Sequence, residues 1–236
     1  VGYSMSYARI HHTAVWLNNN TVLEIGGTSS GSDVLTNCNL YDNRAVATIT
    51  LGNLSQTYNG TPRPVSVTTN PTGHEGEVIV TYTGTAYGPS TTPPTDAGSY
   101  SVAAKLDTTT YRGTGSGTMV VAKAIASVSL TNLSQTYNGS PKPVTVTTTP
   151  PGLNVTVTYE GTGGTTYSQT TTPPTNAGTY TVVATVNDPN YSGTNTGTLT
   201  VAKADQTITF ASLVDKVYGD ADFDVSASAS SGLTVS

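Results

Sequence analysis

The sequence is poor in charge, in cysteine and in residues that favour helices. Only 10% of its 236 residues are charged and the formal net charge is −5, so the few Lys and Arg residues form no basic patch for a nucleic-acid backbone. A single cysteine excludes an internal disulfide and any site built from several cysteines. No run of about 18 apolar residues could span a membrane, and no signal peptide is recognisable. We therefore expect neither a nucleic-acid partner nor a membrane span.

The chain is instead rich in residues typical of strands and turns. It contains 24 Gly, 13 Pro and 14 Tyr, and threonine is abundant. Threonine, valine and tyrosine suit the pleated surface of a sheet, whereas glycine and proline favour turns. This composition predicts an all-β fold.

An internal repeat of about 80 residues dominates the sequence. The octapeptide Asn-Leu-Ser-Gln-Thr-Tyr-Asn-Gly occurs at Asn53–Gly60 and returns unchanged at Asn132–Gly139. The closing tetrapeptide Val-Ala-Lys-Ala likewise occurs at 121–124 and at 201–204. Repetition at this period predicts tandem modules. We divide the chain into residues 1–45, a first repeat at 46–124, a second at 125–204 and a truncated start of a third at 205–236.

Within each repeat the apolar residues alternate with polar ones, as in Val65/Val67 and Val144/Val146. A period of two predicts strands with one buried face, and Asn-Gly or Pro-Gly pairs between them predict turns. Each repeat is thus expected to be a small, β-rich, sandwich-like domain whose strand order stays open. Because no Gly/Ser-rich linker separates the repeats, we expect a fairly stiff string of domains.

Tyrosine and glycine recur at matched positions of the two repeats, and these residues form the structural motif that we assign. Its members in the repeats are Tyr58, Gly60, Gly98, Tyr100, Tyr137, Gly139, Gly178 and Tyr180. Recurrence of the rings, including Tyr82 with Tyr159 and Tyr111 with Tyr191, predicts core positions. An alternative is ligand binding through the loops 83–95 and 160–175, whose lengths differ between the repeats.

The octapeptide, the Pro-Thr-Asn-Ala-Gly-Thr-Tyr block and the Val-Ala-Lys-Ala ending resemble MBG/YDG-type repeats of bacterial surface proteins and adhesins, over about residues 46–236. The resemblance implies an extracellular or cell-surface location and a non-catalytic role in structure or adhesion, as a stalk or spacer. It also implies surface glycans, host or environmental proteins and adjacent domains of a longer chain as partners. The abrupt ends of the sequence suggest a piece of such a chain.

The first 45 residues differ in kind from the repeats. Two apolar runs flank an Asn-rich turn and end at Gly26 and Gly27, which predicts a β-hairpin, and a third short run begins at Cys38. Residues 5–42 are similar to one kelch motif of galactose-oxidase-type propellers. The resemblance implies a partial propeller blade that packs poorly or borrows a surface from the first repeat. It also offers an alternative function, the C-terminal part of a kelch-propeller carbohydrate-binding or galactose-oxidase-like protein.

Histidine and cysteine are the residue types most often found in catalytic and metal sites. No third or fourth ligand lies at useful spacing from these residues. The kelch resemblance implies that His11 and His12 are framework residues, and His74 lies in an insertion loop of the first repeat. Cys38, at the start of a strand, is predicted to be a small buried residue.

Two polar motifs could also be binding sites. Gly113–Gly117 resembles a phosphate-binding loop but lacks the lysine and the helix, which favours a connection between strands. Asp107, Asp188, Asp220, Asp222 and Asp224 could suggest calcium, yet the run from Asp220 to Asp224 lacks the terminal glutamate of a calcium loop. We accordingly predict no enzyme, and no catalytic, cofactor-binding or metal-binding residue.

Overall fold

The computed structural model describes residues 10–17, 21–28 and 38–235. Strands dominate this part of the chain, and its one helical element is a single 3-10 turn at Glu75–Glu77. The chain forms two compact units: unit 1 comprises residues 1–124 and 189–191, and unit 2 comprises residues 125–188 and 192–236. The prediction of an all-β fold made of small sheets is confirmed. In the described residues, no helix has the length and apolar character needed to cross a bilayer.

The N-terminal part of unit 1 is a three-stranded antiparallel sheet in the order β1-β2-β3. Its strands are β1 (Thr13–Leu17), β2 (Thr21–Ile25) and β3 (Cys38–Asp42). β1 pairs with β2 from Thr13 opposite Ile25 to Leu17 opposite Thr21, so the predicted hairpin is present. The Trp16 side chain is 64% exposed, which fits the expectation that this sheet packs poorly.

The first repeat is built on one large sheet and one small sheet. The large sheet has the order β4-β11-β10-β8-β9, with β6 also paired to β11, and the small sheet joins β5 to β7. The strands are β4 (Ala45–Val46), β5 (Thr48–Gly52), β6 (Ser55–Thr57), β7 (Ser66–Asn70), β8 (Ile79–Gly84), β9 (Tyr87–Ser90), β10 (Gly98–Asp107) and β11 (Tyr111–Ala122). β4 and β6 run parallel to β11, whereas the other pairs are antiparallel.

Alternation along β10 places the core between the two sheets of the first repeat. Tyr100, Val102, Ala104 and Leu106 are buried, while the residues between them face solvent. Met119 and Val121 of β11 pack against the same cluster, and Leu51 of the small sheet covers it. The period of two in the sequence is therefore the period of burial.

Unit 2 repeats this plan. Its large sheet has the order β14-β19-β17-β16 and its small sheet joins β13 to β15. After β12 (Ala124–Ile125), the strands are β13 (Ser127–Thr131), β14 (Ser134–Thr136), β15 (Thr145–Thr149), β16 (Val155–Thr162), β17 (Gly178–Val186), β18 (Tyr191–Ser192) and β19 (Thr194–Ala202). β14 runs parallel to β19, as β6 does to β11. The core contains Tyr159, Tyr180, Val182, Leu199 and Val201.

The last part of unit 2 contains one strand pair. β20 (Ile208–Phe210) and β21 (Ala227–Ala229) are antiparallel. Most apolar side chains of this segment are exposed, among them Phe210 at 67% and Tyr218.

Glycine lets the residue that precedes each small sheet, Ala47 or Ala126, pass closely over the backbone of β11 or of the residue before β19. A Cβ atom on Gly113 would lie 2.4 Å from the carbonyl oxygen of Ala47, and one on Gly193 would lie 2.3 Å from that of Ala126. Gly113–Gly117 is thus part of strand β11, and its interpretation as a connection between strands is wrong. The glycines are needed because backbone passes directly over the strand, at distances that no Cβ atom allows.

Candidate functional site

Each repeat has a cleft whose floor is a pair of tyrosines. Tyr87 and Tyr100 meet edge to face with ring centroids 5.7 Å apart, and Tyr167 and Tyr180 do so at 5.4 Å. The clefts have volumes of about 350 Å³ in the first repeat and 530 Å³ in the second. Their walls come from the loops at 83–95 and 160–175, which are the loops that the alternative of ligand binding invokes.

Hydrogen bonds fix the tyrosines of these clefts. The Tyr100 hydroxyl donates to the carbonyl oxygen of Asp96, and the Tyr180 hydroxyl donates to that of Asn176, both at 2.8 Å. Burial raises the pKa of both hydroxyls, with the Asp96 charge adding to the effect on Tyr100. Raised values keep the hydroxyls protonated at neutral pH, so they act as donors. Tyr100 and Tyr180 belong to the core clusters, and Tyr87 and Tyr167 pack against them.

An ion-pair network lies where the N-terminal sheet meets the first repeat. Arg44 forms ion pairs with Asp42 at 2.8 Å and with Asp107, which also pairs with Lys105 at 2.6 Å. Arg112 approaches Asp42 to 3.2 Å. The Arg44 side chain is 11% exposed. These residues line a cavity of about 480 Å³.

The network shifts the pKa values of its members. The hydrogen bond from Arg44 lowers the pKa of Asp42 to about 2, and the pKa of Arg44 is raised by Asp42 and Asp107. Lys105 and then Arg44 lower the pKa of Asp107. Asp42, Arg44 and Asp107 are therefore charged at neutral pH, and their ion pairs act as a structural clamp.

A second polar contact in unit 1 recognises one asparagine. The N–H of Ala97 donates to Asn190 Oδ1 at 2.8 Å, and Asn190 Nδ2 donates to Asp96 Oδ1 at 2.9 Å. The N–H of Ala124 donates to the carbonyl oxygen of Asn190 at 2.9 Å. The oxygen of the carboxamide accepts a hydrogen bond and its nitrogen donates one, so only an Asn or Gln side chain satisfies both contacts.

A ring contact accompanies the asparagine. Tyr191 meets Tyr58 edge to face, with ring centroids 5.3 Å apart. We call Pro189–Tyr191 the asparagine turn, and we call Tyr58, Asp96, Ala97 and Ala124 its acceptor. Both belong to unit 1.

The histidines lie apart from these sites. His12 forms a 3.2 Å pair with Glu24, which is buried. His74 contacts Glu77 at 2.6 Å and its ring lies 4.5 Å from that of Tyr111. His11 is exposed and has a positive φ of 56°. Across the described ranges, no three His, Cys, Asp or Glu side chains are grouped as for a metal ion.

Cys38 is exposed, so the prediction of a buried residue is wrong. It begins the third strand of a sheet that has little to pack against, and the strand therefore leaves its first side chain in solvent. The Asp220 carboxylate accepts a 3.0 Å hydrogen bond from the N–H of Val217 and so stabilises a local turn.

The structural-motif residues occupy two kinds of position. Tyr82, Tyr100, Tyr159 and Tyr180 are buried, as predicted for the core. Tyr58 is half-buried, but its counterpart Tyr137 is 40% exposed, so the core prediction is wrong for Tyr137. The ring of Tyr58 is covered by Tyr191. Among the motif glycines, those with positive φ are Gly26, Gly27, Gly60 and Gly139.

Gly98 and Gly178 have another role. A Cβ atom on Gly98 would lie 3.2 Å from the Tyr100 hydroxyl oxygen, and one on Gly178 would lie 3.1 Å from that of Tyr180. These glycines leave room for the ring two residues later to fold back over the strand.

Sequence reasoning missed Arg44 and Asn190, and it considered Asp107 only as a calcium candidate. A signal for the asparagine turn was available, because Asn190 stands where the first repeat has Thr110 next to the matched tyrosine. Arg44 and Asp107 lie 63 residues apart in sequence, and no local sequence pattern indicates such a pair.

Comparison with known proteins gives one family match. The family model described as "MBG domain" matches residues 47–125 and again 126–205. No curated protein matches the chain. Among solved structures, "Sidekick-1 immunoglobulin domains 1-5" matches with 13% identity and a TM-score of 0.26, over 78% of this chain and 46% of that one. The chain thus spans less than half the length of that structure, and so low a score carries no argument.

Proposed function

Because the chain belongs to the MBG domain family through residues 47–205, we propose that it is a non-catalytic module of a bacterial secreted or cell-surface repeat protein, whose repeats act as a stalk or spacer. The proposal places the chain outside the cell, where it would hold an adhesive or ligand-binding domain away from the surface. Surface glycans or host and environmental proteins are the partners of such a parent protein.

The parallel pairing of opening and closing strands is the observation that carries the proposal. In the first repeat, Ser55–Thr57 near the beginning pairs parallel with Val120–Ala122 at the end. In the second, Ser134–Thr136 pairs parallel with Thr200–Ala202. Tension on the two ends of a repeat pulls these strands along their axes in opposite directions. All hydrogen bonds of the ladder then carry the force together.

This loading differs from the peeling of an antiparallel hairpin, in which bonds break one after another. A stalk must stay folded under tension, and shear loading raises the force at which a domain of given stability opens. Opening under force follows the unfolding rate and not the equilibrium stability, so strand geometry matters more than core size.

Single-molecule pulling of the full chain tests the proposal. Pulled through its ends, the chain is expected to show two similar unfolding events, each releasing about 25 nm from about 80 residues. For comparison, handles at Ser99→Cys and Val120→Cys load an antiparallel pair so that it peels, in a Cys38→Ala background. The first repeat should then open at a several-fold lower force.

The two pulling directions share one folded state, so differences in stability cannot explain a difference in force. Equal opening forces in both directions would remove the mechanical argument for a stalk. Opening of both repeats in one event of about 50 nm would contradict repeats that resist tension separately.

A second candidate function rests on the N-terminal sheet. We propose as the alternative that the chain is the C-terminal part of a kelch-propeller carbohydrate-binding or galactose-oxidase-like protein. Its support is that Val15, Trp16 and Ile25 of β1 and β2 are 43–64% exposed, as expected for a blade face that neighbouring blades cover. The coding sequence upstream of Val1 tests it: further kelch motifs are expected, and their absence contradicts the alternative.

A further inference from the structure

Unit 2 carries the same acceptor groups that hold the asparagine turn in unit 1. By repeat alignment, Tyr137 corresponds to Tyr58, Asn176 to Asp96, Ala177 to Ala97 and Ala204 to Ala124. These four residues line one cleft of about 460 Å³, together with parts of the segment that follows. We call them the second acceptor.

In unit 1 every acceptor group is engaged. The N–H groups of Ala97 and Ala124 donate to the two oxygens of Asn190, the Asp96 carboxylate accepts from its amide, and the Tyr58 ring meets Tyr191. These four contacts define which ligand the acceptor fits.

In unit 2 the same groups are open. The hydrogen bonds found among the described residues include none from the N–H of Ala177 or Ala204 and none to the Asn176 side chain. The Tyr137 ring is 40% exposed. Unit 2 has Asn176 where unit 1 has Asp96. The Asn176 side chain still offers an acceptor oxygen for the amide of an incoming asparagine.

We propose that the second acceptor binds a tight turn in which asparagine is followed by tyrosine, presented by another repeat of this type. The carboxamide oxygen of the turn accepts from the N–H of Ala177, and its amide donates to Asn176 Oδ1. The carbonyl oxygen of the same asparagine accepts from the N–H of Ala204, and the tyrosine ring covers Tyr137.

The first repeat shows why the residue before the tyrosine decides recognition. Its own turn has Thr110 before Tyr111, and threonine offers no carboxamide. Ala45 still donates to the carbonyl oxygen of Thr110 at 2.9 Å, so the backbone contact alone does not select the partner. A repeat with asparagine at this position is the expected occupant, and a repeat with threonine is not.

The test inserts a further copy of residues 125–204 after Ala204 and keeps the rest of the chain. The expected result is that exchange of the Ala177 amide hydrogen slows by about 10- to 100-fold relative to the original chain, as a hydrogen-bonded amide does. A matched variant carries Asn190→Thr in the inserted copy only, and it should lose this protection. The Ala97 amide, already bonded in unit 1, serves as the internal reference and should not change.

If the inserted copy folds and the Ala177 amide exchanges as before, the proposal is overturned. Equal protection with Asn190→Thr in the insert would also overturn it. Should the insert fail to fold, the original chain is titrated with a cyclised peptide of residues 185–194. Saturable shifts of the Ala177 amide that disappear with the Asn190→Thr peptide support the proposal, and no shift at about 10 mM peptide contradicts it.

The inference goes beyond the stalk role, and the two can fail separately. The exchange experiment reports on one amide hydrogen of the second acceptor, whereas the pulling experiment reports on the ladders inside each repeat.

Discussion

The two repeats share a scaffold but differ in how polar residues decorate it. Both share the central strand order, β6-β11-β10-β8 in the first and β14-β19-β17-β16 in the second. Both also have a Tyr pair at a cleft and the same side-chain bridge, in which Gln56 donates to the carbonyl oxygens of Asn53 and Pro64, and Gln135 to those of Asn132 and Pro143. The Arg44 network ties the N-terminal sheet to Lys105, Asp107 and Arg112 of the first repeat, where the second repeat has Thr185, Asn187 and Ser192. The shared features are those that the fold of a repeat requires, whereas the Arg44 network belongs to the position of the first repeat next to the N-terminal sheet.

A further difference lies on the closing strand. Where the first repeat has Gly115, the second has Asn195, whose Nδ2 donates to the carbonyl oxygen of Val128 at 2.8 Å. Gly115 lies under the carbonyl oxygen of Ile49 at 3.0 Å from an added Cβ atom. In both repeats, backbone passes over the closing strand at this point. Gly115 makes room for it by having no side chain, whereas Asn195 forms a hydrogen bond with it.

Removal of the matched tyrosines should have the largest effect and should affect both repeats alike. Tyr100→Ala and Tyr180→Ala each delete a buried ring, and each should cost its own repeat about 3 to 5 kcal/mol of unfolding free energy. Urea unfolding followed by NMR signals of Val102 and Val182 reports each repeat separately. The Tyr→Phe variants, which lose only the hydroxyl contact, should cost about 1 kcal/mol. A difference above about 2 kcal/mol between the matched alanine variants would break the equivalence of the two cores.

Substitution of the glycines under the small sheet should have an intermediate effect. Gly113→Ala and Gly193→Ala place a Cβ atom against the carbonyl oxygen of Ala47 or Ala126, just before the small sheet, and each should cost about 2 kcal/mol. Thermal unfolding of each variant measures the change in stability. Gly88→Ala is the matched control, because an added Cβ atom there meets open space, and its stability should not change. If Gly113→Ala proves as mild as the control, the close approach does not constrain the sheet.

Acidification should have the smallest effect and should distinguish the repeats. Asp42 has a pKa of about 2 against an ordinary value of 3.8, so its contribution to stability is complete above pH 4 and is lost as the pH falls towards 2. Protonation of the depressed Asp107 acts in the same direction. We expect the first repeat to lose about 1 kcal/mol more than the second over this range, after allowance for solvent screening.

The second repeat supplies the reference for this pH dependence, because it has Thr185, Asn187 and Ser192 in place of Lys105, Asp107 and Arg112. Urea titrations at pH 7, 4 and 2 measure the difference. Arg44→Met should reduce it, whereas the part due to Glu75, whose pKa is lowered by hydrogen bonds chiefly from its own backbone, should stay. An unchanged difference in that variant would assign the whole effect to other groups.

Local patterns in the sequence predicted much of the fold. Alternation marked β10 and β17, recurrence marked Tyr82, Tyr100, Tyr159 and Tyr180 as core, and an Asn-rich turn between apolar runs marked the first hairpin. Each of these features is expressed within a few residues, where period and turn chemistry act directly.

The errors share another cause. Gly113–Gly117 looked like a loop because glycine permits turns, but here it serves the approach of a strand more than 60 residues earlier in the chain. Tyr137 matches Tyr58 in sequence and differs in exposure, because coverage comes from Tyr191, on a distant turn. Contacts between residues remote in sequence, such as Arg44 with Asp107, depend on topology, which the sequence left open.

The identical octapeptides have a consequence for how the chain reaches its native state. The opening strands β6 and β14 have the same residues, Ser-Gln-Thr, so side chains alone do not tell either strand which closing strand is its own. During synthesis the ambiguity does not arise, because Val120–Ala122 is made, and can pair with Ser55–Thr57, before Ser134–Thr136 exists. A denatured chain lacks this temporal order, and exchange of opening strands between neighbours is the misfolded product to expect when it refolds.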